Sequence, residues 1–273
     1  MDERAFQSFI EWQIGEGSHA LVPCGTTGES VTLSLSEHLR VVSLCVEAVR
    51  GRVPVIAGSG SNNTAHAIEL TKGAKAAGAD AVLVVAPYYN KPSQEGLVAH
   101  FTAINNAVDI PIVVYNVPGR TVIDISVETM GRLAKLSNVI GVKDASSDLS
   151  RVTRHRLACG DKFIQLCGED SVALGFNAAG GSGCISVTAN IAPKLCADFQ
   201  NLTLQGAFQA AREIDAKLAA LHKAMFVEPS PAPAKFGVSL LGKCADEVRL
   251  PILTCSDAAK AAVQAAMTQA GLA

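Results

Sequence analysis

Little in this sequence is aromatic. Phe, Trp and Tyr make up 5% of the residues, and the apolar share of 49% is mostly Ala, Val, Leu and Ile. That balance suits helices packed on buried parallel strands. Charge of one sign is also lacking: the net charge is -2, with neither a basic stripe nor a block of like charges. Nucleic acid is therefore not an expected partner. The longest apolar runs, such as residues 81–86, are far too short to span a bilayer. No charged n-region followed by an apolar stretch opens the chain, so no secretory signal is expected and the cytoplasm is the expected compartment. The eight cysteines are scattered through apolar runs without a C-x-x-C spacing, and read as small buried hydrophobes in a reducing cytosol. The six histidines lack metal-ligand spacing, so no zinc site is expected.

What is present is a repeating alternation. Apolar, strand-like segments lie at 20–24, 53–57, 81–86, 110–115, 139–142, 163–167 and 184–187. They recur every 20 to 30 residues or so, about the length of one βα unit. They run continuously apolar, as strands buried on both faces do. Helix signals fill the intervals: Ser36-Glu37-His38-Leu39, Asn63-Thr64, Ser93-Gln94-Glu95 and Ser126-Val127-Glu128. The pattern predicts an α/β fold with a parallel sheet. An open doubly wound sheet is disfavoured, because no G-x-G-x-x-G closes the first strand. Polar and glycine-rich residues instead follow every strand, as at the C-terminal face of a TIM (β/α)8-type barrel. Residues 1–191 are expected to form that barrel. Residues 192–273 read as a helical C-terminal region, with helices at 192–200, 204–227, 236–241 and 257–270 interrupted by Pro229, Pro231 and Pro233. Only seven strands can be counted, whereas a closed barrel of this type has eight. Residues 2–16 at the start read as helix.

Several strand ends carry chemistry. Lys143 closes Val139-Ile140-Gly141-Val142. A lysine on a buried strand is costly unless paired or used. It either snorkels to solvent or serves as a Schiff-base amine, which must be neutral to attack a carbonyl although a free lysine titrates near 10.4. Tyr115 ends Ile112-Val113-Val114-Tyr115. It is either a satisfied core tyrosine or a proton shuttle. Gly25-Thr26-Thr27-Gly28-Glu29-Ser30 is either a plain turn or a cradle for a carboxylate, with two hydroxyls and several backbone N–H groups. It is not a P-loop, since the lysine of that motif is absent. Arg120, after Pro118-Gly119, is either a solvated loop residue or a bidentate clamp for a carboxylate.

Taken together these runs resemble the dihydrodipicolinate synthase family, within the larger group that includes N-acetylneuraminate lyase. The matching stretches include Gly25-Thr26-Thr27-Gly28-Glu29-Ser30, Pro87-Tyr88-Tyr89-Asn90-Lys91-Pro92, Tyr115-Asn116-Val117-Pro118-Gly119-Arg120-Thr121 and Gly141-Val142-Lys143-Asp144-Ala145. Gly183-Cys184-Ile185-Ser186-Val187 and Phe226-Val227-Glu228-Pro229 match as well. The resemblance implies that Lys143 forms an imine with pyruvate and that the enamine attacks L-aspartate 4-semialdehyde. The implied product is 4-hydroxy-tetrahydrodipicolinate, on the route to diaminopimelate and lysine. It implies that Tyr115, Thr26 and Tyr89 form a hydroxyl relay, with Tyr89 reaching into a neighbouring subunit. Thr27, Ile185 and Gly168 are implied as substrate-binding, and Arg120 as the guide for the semialdehyde carboxylate. It implies no metal and no cofactor beyond the covalent imine, and a homotetramer built as a dimer of dimers. A sugar-acid or hydroxy-keto-acid aldolase and an inactive, shortened barrel are the alternatives.

Two departures from the family pattern follow. Family members begin with a strand before the first helix, and this chain starts inside that helix, which agrees with the count of seven. Ser30, His38, Asn62 and Tyr88 match positions that line a lysine-binding allosteric site in some members. His66 and Leu35 differ from the residues of lysine-sensitive members, so weak or absent lysine inhibition is expected.

Overall fold

The structure is a computed structural model and describes residues 1–272. Its helices begin where side chains can replace missing backbone partners. Asp2 caps α1 (Glu3–Gly15) by accepting from Ala5 N at 3.0 Å. Asn63, Ser93 and Ser126 cap α3 (Thr64–Ala76), α4 (Gln94–Ala107) and α6 (Val127–Leu133), as their sequence signals predict. For α2 (Leu35–Val49) the cap is Ser34, two residues before the expected start. Ser34 and Glu37 form a reciprocal capping box, with Glu37 N on Ser34 Oγ and Ser34 N on Glu37 Oε2. A single helical turn, α5 (Pro118–Thr121), precedes α6.

Five strands, β1 (Ile56–Gly58), β2 (Ala81–Val85), β3 (Ile112–Asn116), β4 (Val139–Asp144) and β5 (Ile164–Cys167), pair in parallel and in chain order. The two remaining segments expected to be strands join by single bridges, Leu21 with Val55 and Cys184 with Cys167. Neither extends into a ladder. Pro23 has no N–H to give, and Cys24 turns to a φ of 56° to enter the following loop. After Cys184 only Ile185 N still bonds across to Cys167 O, and the chain then enters a 3-10 turn at Thr188–Asn190. Among the described residues, no ladder or bridge joins the seventh segment to the first.

The sheet curls. Val22, Ile56, Leu83, Val85, Val113, Tyr115, Ile140, Ala145 and Ile185, drawn from six of the seven segments, meet in one inner cluster. The opposite faces of the strands pack under helices, in a larger cluster that includes Val82, Val84, Leu97, Phe101, Ile104, Val114 and Met130. The register slips once, where Ile112 pairs with Val139 but Val113 pairs with Gly141. Val139 and Val142 therefore both face the helices, although simple alternation would separate them. The extra residue resets the phase of β4 and turns Lys143 inward.

The remaining helices are α7 (Ser150–Cys159), α8 (Ala173–Ala178), α9 (Pro193–Leu204), α10 (Phe208–Ala224), α11 (Ala232–Leu240) and α12 (Asp257–Gln269). The helix expected over 204–227 begins later, because Gly206 takes a φ of +75° and the chain turns there. Helices α9 to α12 share their own apolar cluster, with Leu218, Leu221, Met225, Val263 and Met267 at its centre.

Candidate active site

Tyr115 and Lys143 are register partners on β3 and β4, one pair before the ladder stops. Lys143 is only 9% exposed, and its Nζ lies 4.3 Å from the centre of the Tyr115 ring. Among the described residues, Lys143 has no carboxylate partner. A buried amine without a counter-ion is unfavourable, so its placement calls for a use. The stem of Lys143 runs past Gly168, at the end of β5. A Cβ at that position would come within 2.7 Å of Ala145 Cβ and 3.1 Å of Lys143 Cε. Gly168 is the space the lysine occupies.

A cavity of about 1370 Å³ opens above this pair. Thr26, Thr27, Tyr115, Arg120, Lys143, Gly168 and Ile185 all line it, so seven of the residues singled out from sequence share one space. The cavity also extends past Leu21 and Cys184 to Phe6, Phe9 and Ile10 of α1, between the two segments that do not pair. Thr26 and Thr27 sit in a tight loop in which Ser30 N and Glu29 N bond back to Gly25 O and Thr26 O. Arg120 stands exposed on α5. Cys184 lines the cavity too, but its thiol is held protonated by its hydrogen bond with Cys167 and by burial. It is a poor competitor for an electrophile, since the thiolate is the reactive form. Burial likewise pushes the Cys24 thiol up to about 12.

Tyr89 is not part of this cavity. It is 86% exposed, at a φ of 73° on the loop after β2. The five residues matched to an allosteric site come from the Ser30–Thr32 turn, from α2, from α3 and the loop before it, and from the loop after β2. His38 is buried in α2, with its ring Nε2 2.7 Å from Gly58 O, and burial holds its pKa down. His66, on α3, pairs with Glu69 at 3.2 Å beside a shallow depression that none of Ser30, His38, Asn62 and Tyr88 lines. Ser30, Asn62 and Tyr88 are half-buried, and Asn62 O accepts from Asn90 Nδ2.

Two supporting groups are absent from the sequence reading. Glu29 has a left-handed φ of 56°, and its carboxylate accepts from Lys235 Nζ at 2.8 Å and Arg249 N at 3.0 Å. Arg249 also holds Glu37 with both terminal nitrogens. The C-terminal region thus grips the loop that carries Thr26 and Thr27. Behind the strands, Asp144, Asp124 and Asn116 surround Arg151. No spacing rule joins residues 206 positions apart, but Lys143-Asp144 does place a second, outward-facing charge beside the amine.

Fold and site together define an α/β barrel with an amine and a phenol side by side at the end of its central strands. That pairing suits reactions in which a carbonyl is captured and a proton is passed on. The model of the dihydrodipicolinate synthetase family matches residues 1–270, and the chain belongs to that family. A curated 4-hydroxy-tetrahydrodipicolinate synthase from Parvibaculum lavamentivorans is 61% identical over 272 residues, covering 100% of this chain and 94% of the relative. The chloride-inhibited dihydrodipicolinate synthase of Acinetobacter baumannii, solved as a complex with pyruvate, superposes with a TM-score of 0.98 at 40% identity. That match covers 100% of this chain and 94% of the other. The enzyme from Cyanidioschyzon merolae with lysine bound matches with a TM-score of 0.96 at 37% identity, over 100% and 93% of the two chains. Among the described residues, no helix is long and apolar enough to cross a membrane.

Proposed function

We propose that this protein condenses pyruvate with L-aspartate 4-semialdehyde to give 4-hydroxy-tetrahydrodipicolinate, as a 4-hydroxy-tetrahydrodipicolinate synthase. The observation that carries the reading is the unpaired Lys143 amine against the Tyr115 ring, in a cavity shared with Thr26, Thr27 and Arg120. The 61% identity to a curated synthase favours it over a sugar-acid aldolase and over an inactive barrel.

The Lys143 nitrogen adds to the keto carbon of pyruvate, and loss of water leaves an iminium. The iminium draws electrons from the adjacent methyl group, which loses a proton and becomes an enamine carbon. That carbon attacks the aldehyde of the semialdehyde, whose oxygen takes up a proton. The substrate's own amine then adds to the iminium carbon and displaces Lys143, closing the ring and freeing the enzyme. Tyr115 and Thr26 move these protons, with Tyr89 supplied by a neighbouring subunit. Thr27, Ile185 and Gly168 form the pyruvate pocket, and Arg120 clamps the semialdehyde carboxylate. The iminium is the electron sink, so the scheme needs neither metal nor cofactor.

A homo-oligomer, a tetramer of two tight dimers, fits the exposure of Tyr89. Residues 1–191 act as the barrel, and residues 192–273 as a helical region that braces its mouth. Eight free cysteines fit a reducing cytoplasm.

Borohydride reduction in the presence of pyruvate, followed by peptide mass spectrometry, tests the central step. A pyruvate-derived adduct on Lys143, absent from Lys143→Arg, is expected. A folded protein that acquires no adduct, or acquires it on another lysine, overturns the mechanism.

A further inference from the structure

The inner faces of β3 and β4 hold Tyr115 and Lys143, and the next residue of each strand points the other way. Those residues, Asn116 and Asp144, are register partners and are buried at 0% and 4% exposure. Arg151, on α7, lies between them and the loop that follows Arg120. Its Nε bonds Asp144 Oδ2 at 2.9 Å, its Nη1 bonds Asp124 Oδ2 at 2.8 Å, and its Nη2 bonds Ile125 O at 2.6 Å. The ring closes through Asn116, which donates to Asp124 Oδ1 at 2.7 Å and accepts from Ile125 N at 3.0 Å. Asp144 Oδ1 is occupied by Ser146 N at 2.8 Å. His155 lies 4.0 Å from Asp144 Oδ2, and burial lowers its pKa, so it is neutral near pH 7 and Arg151 supplies the positive charge to this carboxylate.

We infer that Arg151 is a positioning residue for the proposed condensation, clamping the Lys143 strand, the Tyr115 strand and the Arg120 loop into one unit. The inference rests on the function proposed above.

Stability alone is a weak reason to keep such a group, because a buried ion pair is often no better than an apolar replacement. Geometry is the stronger reason. Each of the three donors goes to a different place: the end of β4, the carboxylate bound to the end of β3, and the backbone carbonyl of Ile125 in the loop beyond Arg120. A planar fork can hold three directions at once, and a lysine ammonium at the end of a flexible stem cannot hold the same three. The clamp lies one residue beyond the reacting pair, where the β3–β4 ladder stops. A misplacement of about 1 Å there costs roughly 100-fold in rate.

The two limbs make different predictions. Asp144→Asn weakens the hold on the Lys143 strand and should slow borohydride trapping by pyruvate several-fold. Asp124→Asn loosens the Arg120 loop and should raise KM for the semialdehyde several-fold, with pyruvate trapping kept within about twofold. Arg151→Met loses both limbs and should lower kcat by about 100-fold. Arg151→Lys should recover little of that loss, because it restores charge without the fork. Circular dichroism and melting curves identify the variants that fold, and the two Asp variants and Arg151→Lys carry the test if Arg151→Met does not. Folded Arg151 variants with wild-type kcat and KM overturn the inference. So does a uniform loss in both Asp variants that merely follows their drop in Tm. A wild-type protein that pyruvate cannot trap overturns the proposed function itself, and is a separate result.

Discussion

At the scale of single residues, the absence of a side chain at position 168 matters as much as the presence of one at 143. The Lys143 stem lies where a Gly168 Cβ would press on it, and Ala145 blocks the other direction. Gly168→Ala should therefore shift the amine and cut kcat by about tenfold or more, and lower the melting temperature as well, because Ala145 Cβ is fixed to the backbone and cannot swing aside. Gly15→Ala is the control: nothing beyond its own helix turn and chain neighbours lies within 4 Å of its added Cβ, and the change should leave activity and stability intact. Equal kcat in Gly168→Ala and wild type would show that the lysine tolerates displacement. Lys143 and Tyr115 were legible in the sequence because polar groups at the ends of apolar runs stand out. Arg151 was not. It falls in a helix with Arg154 and Arg156, which are exposed, and sequence offers no way to see that the first of the three turns inward.

At the scale of elements, most helix starts were readable because a cap is a local contact within three residues. The slip of β4 was not, because a bulge depends on how a strand meets its neighbour. Contacts between helices are equally hidden. Thr64, at the start of α3, bonds His100 Nδ1 of α4 at 2.9 Å, and His100 Nε2 has no partner among the described residues. Burial pushes the His100 pKa down to about 4 from 6.5. Between those values the unfolded chain takes up a proton that the folded chain refuses. Stability is thus complete above about 6.5 and falls as the pH drops, by up to about 3 kcal/mol for this group. His38 and His155, also lowered by burial, act in the same direction. Urea unfolding near pH 7.5 and near pH 5 should show the loss, and His100→Asn should reduce it. Superimposable wild-type curves would refute this account.

At the scale of the whole molecule, the alternation of segments announced a parallel α/β fold, and the family matches agree with a barrel. Two segments that read as strands make only one bridge each, since apolar composition does not reveal where a ladder ends. The assembly belongs to this scale as well. Tyr89 faces solvent in a single chain and lies outside the cavity, so its proposed role needs a second chain. Tyr89→Phe and Lys143→Arg should each be nearly inactive alone. Mixed oligomers of the two should recover activity, because one subunit keeps the amine and the other supplies the phenol. Mixed oligomers confirmed by native mass spectrometry but without activity would rule out the shared site.

The grip of Lys235 and Arg249 on Glu29 also has a bearing on when the protein becomes competent during its synthesis. The threonine loop emerges from the ribosome early, and its two holders leave 206 and 220 residues later. At ordinary rates of translation that interval is on the order of ten to forty seconds. A nascent chain can display its lysine strand well before the mouth above it is braced, so turnover should begin only as the last helices are released.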